Sequence, residues 1–443
     1  MSQDRDELNK RRQARRAEMA RKRKRRQAWG LRIVVALEVL AVVALGVLLL
    51  TWGSGGKEKP KDPPQQVQAQ TTPPTEEATT LPPPPAEEEP DSPTTVIHLA
   101  AAGDLNINDA TVAAGRKSSG FDYTGVFMDV ASIFSGADLA VLNFEGNLVG
   151  SPYGSESQSA PQELAQALDA MGVDLVQIAN SCAVTHGVKG LSKTLDNLRS
   201  AGLEPLGAFA SAEEFQKTKG YTIVEVKGIR IAFVAFTKGM GGLSLPAGSE
   251  DCVNLLYTDY ATTYKEIDKE GINRILKNVA SEKPDVTIAM VHWGSEYKDQ
   301  VTKNQEKIAT ILREGGVDVI LGSHSHMLHR IDFDMVSGQF TAYSLGDFFG
   351  EGQRAGTEYS IILDLEITRD NASGDTRVTS YTYTPIYQLE DENGTRILRL
   401  QQALFAYKEN FVGKVSQSVY ESMEHALERI DERILPKKES EEK

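Results

Sequence analysis

Residues 317–326 read Val-Asp-Val-Ile-Leu-Gly-Ser-His-Ser-His, a short apolar run that ends in a glycine and two histidines spaced by one serine. A run of this length, rich in β-branched residues and closed by Gly-Ser, predicts a buried strand followed by a tight loop. The same arrangement recurs along the chain. Residues 95–104 (TVIHLAAAGD) end in Gly-Asp, 138–146 (DLAVLNFEG) in a polar loop, and 285–294 (DVTIAMVHWG) in His-Trp-Gly. Residues 173–181 (VDLVQIANS) and 229–237 (IRIAFVAFT) add two more strand-like runs. Helical patterns lie between them, at 190–201 and 266–281. Strands alternating with helices predict an α/β domain whose ligand-binding groups sit at the carboxyl ends of the strands. Further on, 340–349, 360–367 and 377–387 follow one another with no long helix between them, which predicts hairpins and a second sheet. From residue 396 onward the chain reads helical and strongly charged.

Outward from this domain the composition changes twice. Residues 53–95 hold eleven prolines, among them Pro82 to Pro85, and no aromatic residue. Such a segment buries too little apolar surface to offset its ordering entropy and is expected to be a semi-extended tether. Before it, residues 31–50 read LRIVVALEVLAVVALGVLLL, the length of helix that crosses a hydrocarbon core, with Trp29 and Trp52 at its borders. Arg32 can snorkel to the headgroups; Glu38, two turns in, can lean to the same interface, take a proton or face a partner helix. Residues 1–32 carry 13 Lys+Arg against four acids, a net of +9, whereas the whole chain is −14. A basic flank followed by an apolar span with no small-x-small cleavage pattern predicts an uncleaved anchor, amino terminus in and carboxyl terminus out. The expected organisation is a basic cytoplasmic segment (1–30), a transmembrane anchor (31–52), a Pro/Glu/Thr-rich linker (53–95), a folded domain (96–390) and a charged helical tail (391–443). The basic segment suits anionic headgroups or nucleic acid, though a topology signal suffices. The lipid bilayer is therefore the first expected partner. The acidic outer domain argues against nucleic acid there, because phosphate binding calls for a basic face.

Asp104, Glu145, His292, His324 and His326 all stand where strand-like runs end. A lone strand-end histidine is more often a satisfied structural residue than a ligand. Three of them beside glycines, with two carboxylates, form the mixed N/O set that holds divalent first-row metals or zinc. The motifs AAGDLNIN, LNFEGNL, IANSCAVTHGVKGL, VHWGSEY, ILGSHSHMLHRI and YSLGDFF stand in the order and rough spacing of the bacterial CapA family. That family includes poly-γ-glutamate capsule-synthesis proteins and is similar to calcineurin-like metallophosphoesterases. The resemblance covers about residues 96–390 and implies a four-layer αββα sandwich with a dimetal cleft. By motif it implies that Asp104 and His326 ligate one divalent metal ion, that His292 and His324 ligate another, and that Glu145 bridges them. Glu296 resembles a further motif residue with no assigned role.

One motif departs from that pattern. Where the family has Ala-Asn-Asn-His and then Asp-aromatic-Gly, this chain has Ala179-Asn180-Ser181-Cys182 and then Thr185-His186-Gly187. Ser181 thus stands at a ligand position, and a hydroxyl is a weaker ligand than an amide oxygen. Cys182 stands where an imidazole would act as acid or orient phosphate. His186, four residues on, would share a helix face with Cys182 and is the alternative catalytic candidate, or merely fills the aromatic position. Cys182 and Cys252 are the only cysteines; outside the cytoplasm they have one internal pairing open to them, and two cysteines imply no disulfide framework.

Three functions are consistent with these residues. The resemblance implies a part in synthesis or export of an anionic envelope polymer such as poly-γ-glutamate, alongside other membrane components of a synthesis/export complex. A metal-dependent phosphoesterase is the second, and a catalytically degenerate metal-binding scaffold the third. The acidic net charge requires metal ions or a local basic patch wherever an anionic polymer is held. For topology, protease added to intact cells with permeabilised walls is expected to remove everything after about residue 95 and to spare the basic amino terminus. A protected tag at Lys443 together with a digested tag at Met1 would reverse that orientation.

Overall fold

The computed structural model describes residues 93–413 and 415–435. Among these, no helix is long and apolar enough to cross a membrane; the 31–50 span and nearly all of the linker lie outside the described residues.

Among the described residues, fourteen strands form two sheets. Strands β1 (Thr94–Asn106), β2 (Leu139–Glu145), β3 (Leu175–Gln177) and β4 (Glu204–Leu206) run parallel. On the other side of β1 the chain adds β12 (Tyr359–Asp370), β13 (Thr376–Asp391) and β14 (Gly394–Arg399) as an antiparallel meander. The short strand β11 (Asp347–Phe349) pairs parallel with the end of β1 and completes an eight-stranded sheet. The second sheet has six strands in the order β5 (Tyr221–Val226), β6 (Ile229–Thr237), β7 (Val286–His292), β8 (Val319–Ser323), β10 (Phe340–Ala342) and β9 (Ile331–Phe333). Its four inner strands are parallel and its two edge strands antiparallel.

Side-chain alternation along β6 shows how the layers meet. Ile231, Phe233 and Ala235 enter the core shared with the larger sheet. Ala232, Val234 and Phe236 face the opposite way, against Ile272, Ile275 and Leu276 of the helix Lys269–Ser281 and Ile308 and Leu312 of the helix Lys303–Glu314. Strand β2 is buried along its whole length, as a parallel strand covered on both faces must be. The helices follow from their sequences. Asp268 caps Lys269–Ser281 by accepting from the Gly271 N–H at 2.8 Å, and Thr302 and Gln305 form a reciprocal capping box before Lys303–Glu314. The helix Gly187–Ala201 buries Leu191, Leu195 and Leu198 and stops at Gly202 in the left-handed region.

Two expectations change. The hairpins of the second half build no separate sheet: β12 pairs with β1 from Thr94 to Ala101, so the meander extends the first one. The run 340–349 divides between the sheets, its Phe340–Ala342 joining the smaller and its Asp347–Phe349 the larger. The tail also begins later than residue 391. Residues 394–399 form a strand because Ile397 and Leu398 bury against β13, a tertiary contact that outweighs local propensity. The helices Leu400–Lys408 and Gln417–Ile434 follow, the latter packing Met423, Ala426, Ile430 and Ile434 into the core.

The close approach of β1 and β11 depends on two glycines. Asp104 N–H donates to the Gly346 carbonyl at 2.9 Å, and a Cβ on Gly103 would meet that oxygen at 1.8 Å. Gly103→Ala must therefore push β11 away and is expected to destabilise the fold by about 2 kcal/mol or more in urea unfolding. Gly125→Ala, where a Cβ meets nothing within 4 Å, is the control and should be close to neutral.

Candidate metal centre

The carboxyl ends of both sheets' parallel strands converge on one buried seam. Asp104 ends the straight part of β1, where the pairing with both β2 and β11 shifts register; such irregularities re-aim a side chain. Glu145 closes β2, His292 closes β7, and His324 and His326 lie in the loop after β8. Both loop histidines adopt positive φ, 89° and 59°, a backbone strain of about 1–3 kcal/mol each that the surrounding structure must hold.

The fold gathers six side chains into two sets whose ligand atoms lie within 4.8 Å of one another: Glu145 with His292 and His324, and Asp104 with His326 and Asp347. None is more than 8% exposed. Every carboxylate comes from the eight-stranded sheet and every imidazole from the six-stranded sheet or its loop. Five of these six are the strand-end residues that the sequence singles out, and Glu145, which the resemblance implies bridges two metals, groups here with His292 and His324. Asp347 was missed as a ligand candidate. Its signal was present, since Gly346-Asp347 repeats Gly103-Asp104 and the two aspartates are register partners across β1 and β11.

The polar network fixes how these groups point. His292 Nε2 lies 3.4 Å from Glu145 Oε1 and accepts from the Ser181 N–H at 3.2 Å, while Nδ1 lies 3.2 Å from Ser323 Oγ. Asp104 accepts from Asn143 Nδ2 at 2.6 Å and from the His324 N–H at 3.0 Å. Asn143 is held in turn by Asn180 Nδ2 at 3.0 Å. His326 Nδ1 is 2.8 Å from Asp347 Oδ1, and Tyr297 stacks on the His326 ring at 5.2 Å. Glu145 Oε2 and His324 Nδ1 are buried with no hydrogen-bond partner among the described residues. Orphaned buried acceptors are costly and usually mark an ion or water. Together with the mixed carboxylate and imidazole donors, they fit divalent metal ions.

Burial and charge act against each other here. Burial pushes the Asp104 carboxyl up to about 6, opposed mainly by His326. Burial likewise raises Asp347 against the pull of His326. Burial also raises Glu145, but His292, His326 and His324 outweigh it and hold that carboxyl below its ordinary range. Burial drives His324 well down, with His292 adding to the effect. Burial would lower His326 too, yet Asp347, Glu145 and Asp104 push it well above its ordinary value. Crowded carboxylates and imidazoles of this kind are what a bound cation compensates.

The altered motif is now placed. Ser181 Oγ stands 2.8 Å from His292 Nε2, in position to join that ligand set. Cys182 is buried, and its thiol is pushed well up by burial and then by Glu145 and Glu296, which makes it a poor proton donor at neutral pH. His186 shares no helix face with it. Residues 181–186 form turns rather than a helix, and His186 Nε2 is spent on the Ser157 carbonyl at 2.6 Å. Cys182 and Cys252 are both free and buried. A cavity of about 240 Å³ opens beside the Glu145 set, lined by Ser181, Lys238, Tyr264, Ser295, Glu296 and His324 among others. Glu296 thus sits at the cavity, not among the ligands. Lys238, another residue the motifs did not flag, is lowered by burial against the pull of Glu296.

The chain is 27% identical over 263 residues to the PGA biosynthesis protein CapA of Bacillus subtilis, covering 57% of this chain and 64% of that protein. It is 26% identical over 215 residues to the capsule biosynthesis protein CapA of Bacillus anthracis, covering 48% and 49%. The match therefore spans about half to two thirds of the length of these relatives. Among solved structures, a putative 5'-nucleotidase from Staphylococcus aureus overlaps with a TM-score of 0.42 at 11% identity, covering 75% of this chain and 58% of that one. A sequence model described as bacterial capsule synthesis protein PGA_cap matches residues 98–351, more than half of the chain, and the chain belongs to that family.

Proposed function

We propose that this chain takes part in the synthesis or export of an anionic capsule or envelope polymer such as poly-γ-glutamate. In this reading it is a membrane-anchored protein whose outer domain, a four-layer αββα sandwich of metallophosphoesterase type, holds one or two divalent metal ions. The observation that carries it is the pair of buried ligand sets, with Glu145 Oε2 and His324 Nδ1 unpartnered, inside the segment that matches the capsule-synthesis family. Asp104, His326 and Asp347 would hold one ion; Glu145, His292 and His324 the other, with Ser181 Oγ beside them. Such ions supply concentrated positive charge that can draw an anionic group into an otherwise acidic protein. The chain's own part is orientation. Ser323 Oγ, within reach of His292 Nδ1, orients that ring with Nε2 toward Glu145, and Asn143, steadied by Asn180, fixes the Asp104 carboxylate.

Purified protein is expected to gain thermal stability with divalent metal, by about 2.7 kcal/mol at a hundredfold excess over Kd. His324→Ala should abolish most of that gain and should fail to restore surface polymer in cells lacking the gene. Unchanged metal content and unchanged polymer in the variant would overturn the proposal.

Phosphoester hydrolysis is the second reading, favoured by Lys238 beside the Glu145 set. Against it, among the described residues His324 is the only imidazole lining the cavity, and neither Cys182 nor His186 lines it. Since a positioned general acid contributes roughly 10²–10⁴-fold, hydrolysis of a model phosphodiester should be weak. The double change Ser181→Asn, Cys182→His should raise it at least about tenfold. Rapid turnover by the unaltered protein, or a fall in the double variant, would favour hydrolysis by a different proton donor.

A further inference from the structure

The net charge of this chain opposes the ligand proposed for it, and two cations at the mouth of the site resolve the conflict. Lys238 follows β6 and donates from Nζ to the Gly294 carbonyl at 2.8 Å, while its ammonium lies 4.6 Å above the Tyr264 ring. It lines the cavity beside the Glu145, His292 and His324 set. Arg354 lies by the other ligand set. Its guanidinium sits 3.7 Å above the Tyr297 ring, and Tyr297 stacks on His326 of the Asp104 set. Among the described residues neither cation has a carboxylate within ion-pair distance. Most of the arginines described elsewhere in the domain are paired this way, as Arg330 is with Glu306 and Asp332. An aromatic ring under a cation holds its position without neutralising it. Among the described residues Glu296 is the one acid lining the Lys238 cavity, and it acts on Lys238 only through space.

Resting on the polymer role proposed above, we infer that Lys238 and Arg354 are specificity residues that hold successive carboxylates of one extended γ-linked polycarboxylate chain across both ligand sets. Their placement beside different ligand sets, Lys238 by that of Glu145 and Arg354 by way of Tyr297 and His326 by that of Asp104, suits a linear polyanion that reaches both. Arg354 presents a planar fork suited to bidentate carboxylate pairing, and Lys238 a point charge at the cavity wall. Contacts of this kind weaken with added salt.

The test uses the full-length protein in detergent, loaded with manganese, and a short synthetic γ-glutamyl oligomer as probe. Lys238→Met keeps the aliphatic stem over Tyr264, and Arg354→Gln changes an exposed side chain with little risk to folding. Each is expected to weaken oligomer binding about tenfold, the pair about a hundredfold, with metal content held at the unaltered level. Lys238→Arg should restore most of the loss. Variants that keep their metal and bind the oligomer as the unaltered protein does would overturn this inference alone. An unaltered protein that takes up no metal would overturn the reading beneath it. Equal binding of a polyphosphate of matched charge would overturn the assignment to a carboxylate polymer.

Discussion

Three buried carboxylates on one sheet meet three buried imidazoles on and beside the other, and each sheet presents a charge distribution that is tolerable only against its partner. An ion removed from water costs several kcal/mol unless it is paired and hydrogen-bonded, roughly independent of which sheet carries it. The seam answers that cost with direct pairs such as His326 to Asp347, and with amide contacts running from Asn180 through Asn143 to Asp104. What these bonds leave unsatisfied, Glu145 Oε2 and His324 Nδ1, is what a metal ion would take up.

Much of the surrounding architecture serves this meeting of sheets. Gly103 and Gly346 let β11 close against β1, which sets Asp347 beside Asp104. The loop after β8 accepts two residues of positive φ, and the His324 N–H thereby reaches across to Asp104. The chain crosses from the smaller sheet to the larger between Ala342 and Asp347. That single crossing supplies the sixth ligand candidate, and it ties the position of one set to the packing of the other.

The departure at Ser181 and Cys182 falls on the cavity side of this seam and leaves the six gathered side chains intact. A hydroxyl at 181 stays in contact with His292, whereas the thiol at 182 is buried with its proton held tightly. The residues that hold charge have been kept apart from those that would move a proton. On the reading proposed above, such an arrangement would serve capture of an anionic ligand rather than cleavage of one. The cations Lys238 and Arg354, set on aromatic rings at the edge, fit the same division.

Periodicity and motif order were enough, in the sequence itself, to mark an α/β domain, to locate β1, β2, β6, β7 and β8, and to single out Asp104, Glu145, His292, His324 and His326. These are local signals: an apolar run fixes a strand, and a Gly-Asp or Gly-Ser-His closing it fixes where a polar side chain is exposed to its neighbours. The family resemblance rested on the same motifs. What lay beyond local pattern was decided by tertiary pairing. Whether the 360–387 hairpin made its own sheet or extended the first depended on the edge of β1 being free to accept it, and no periodicity encodes which edge a strand will meet. Asp347 became a ligand candidate only when parallel pairing set it opposite Asp104, and only the turn at 181–186 brought the His186 ring to the Ser157 carbonyl. Sequence fixes the chemistry a side chain can offer; which other side chains lie within a few ångströms of it depends on long-range packing, and that only the folded chain determines.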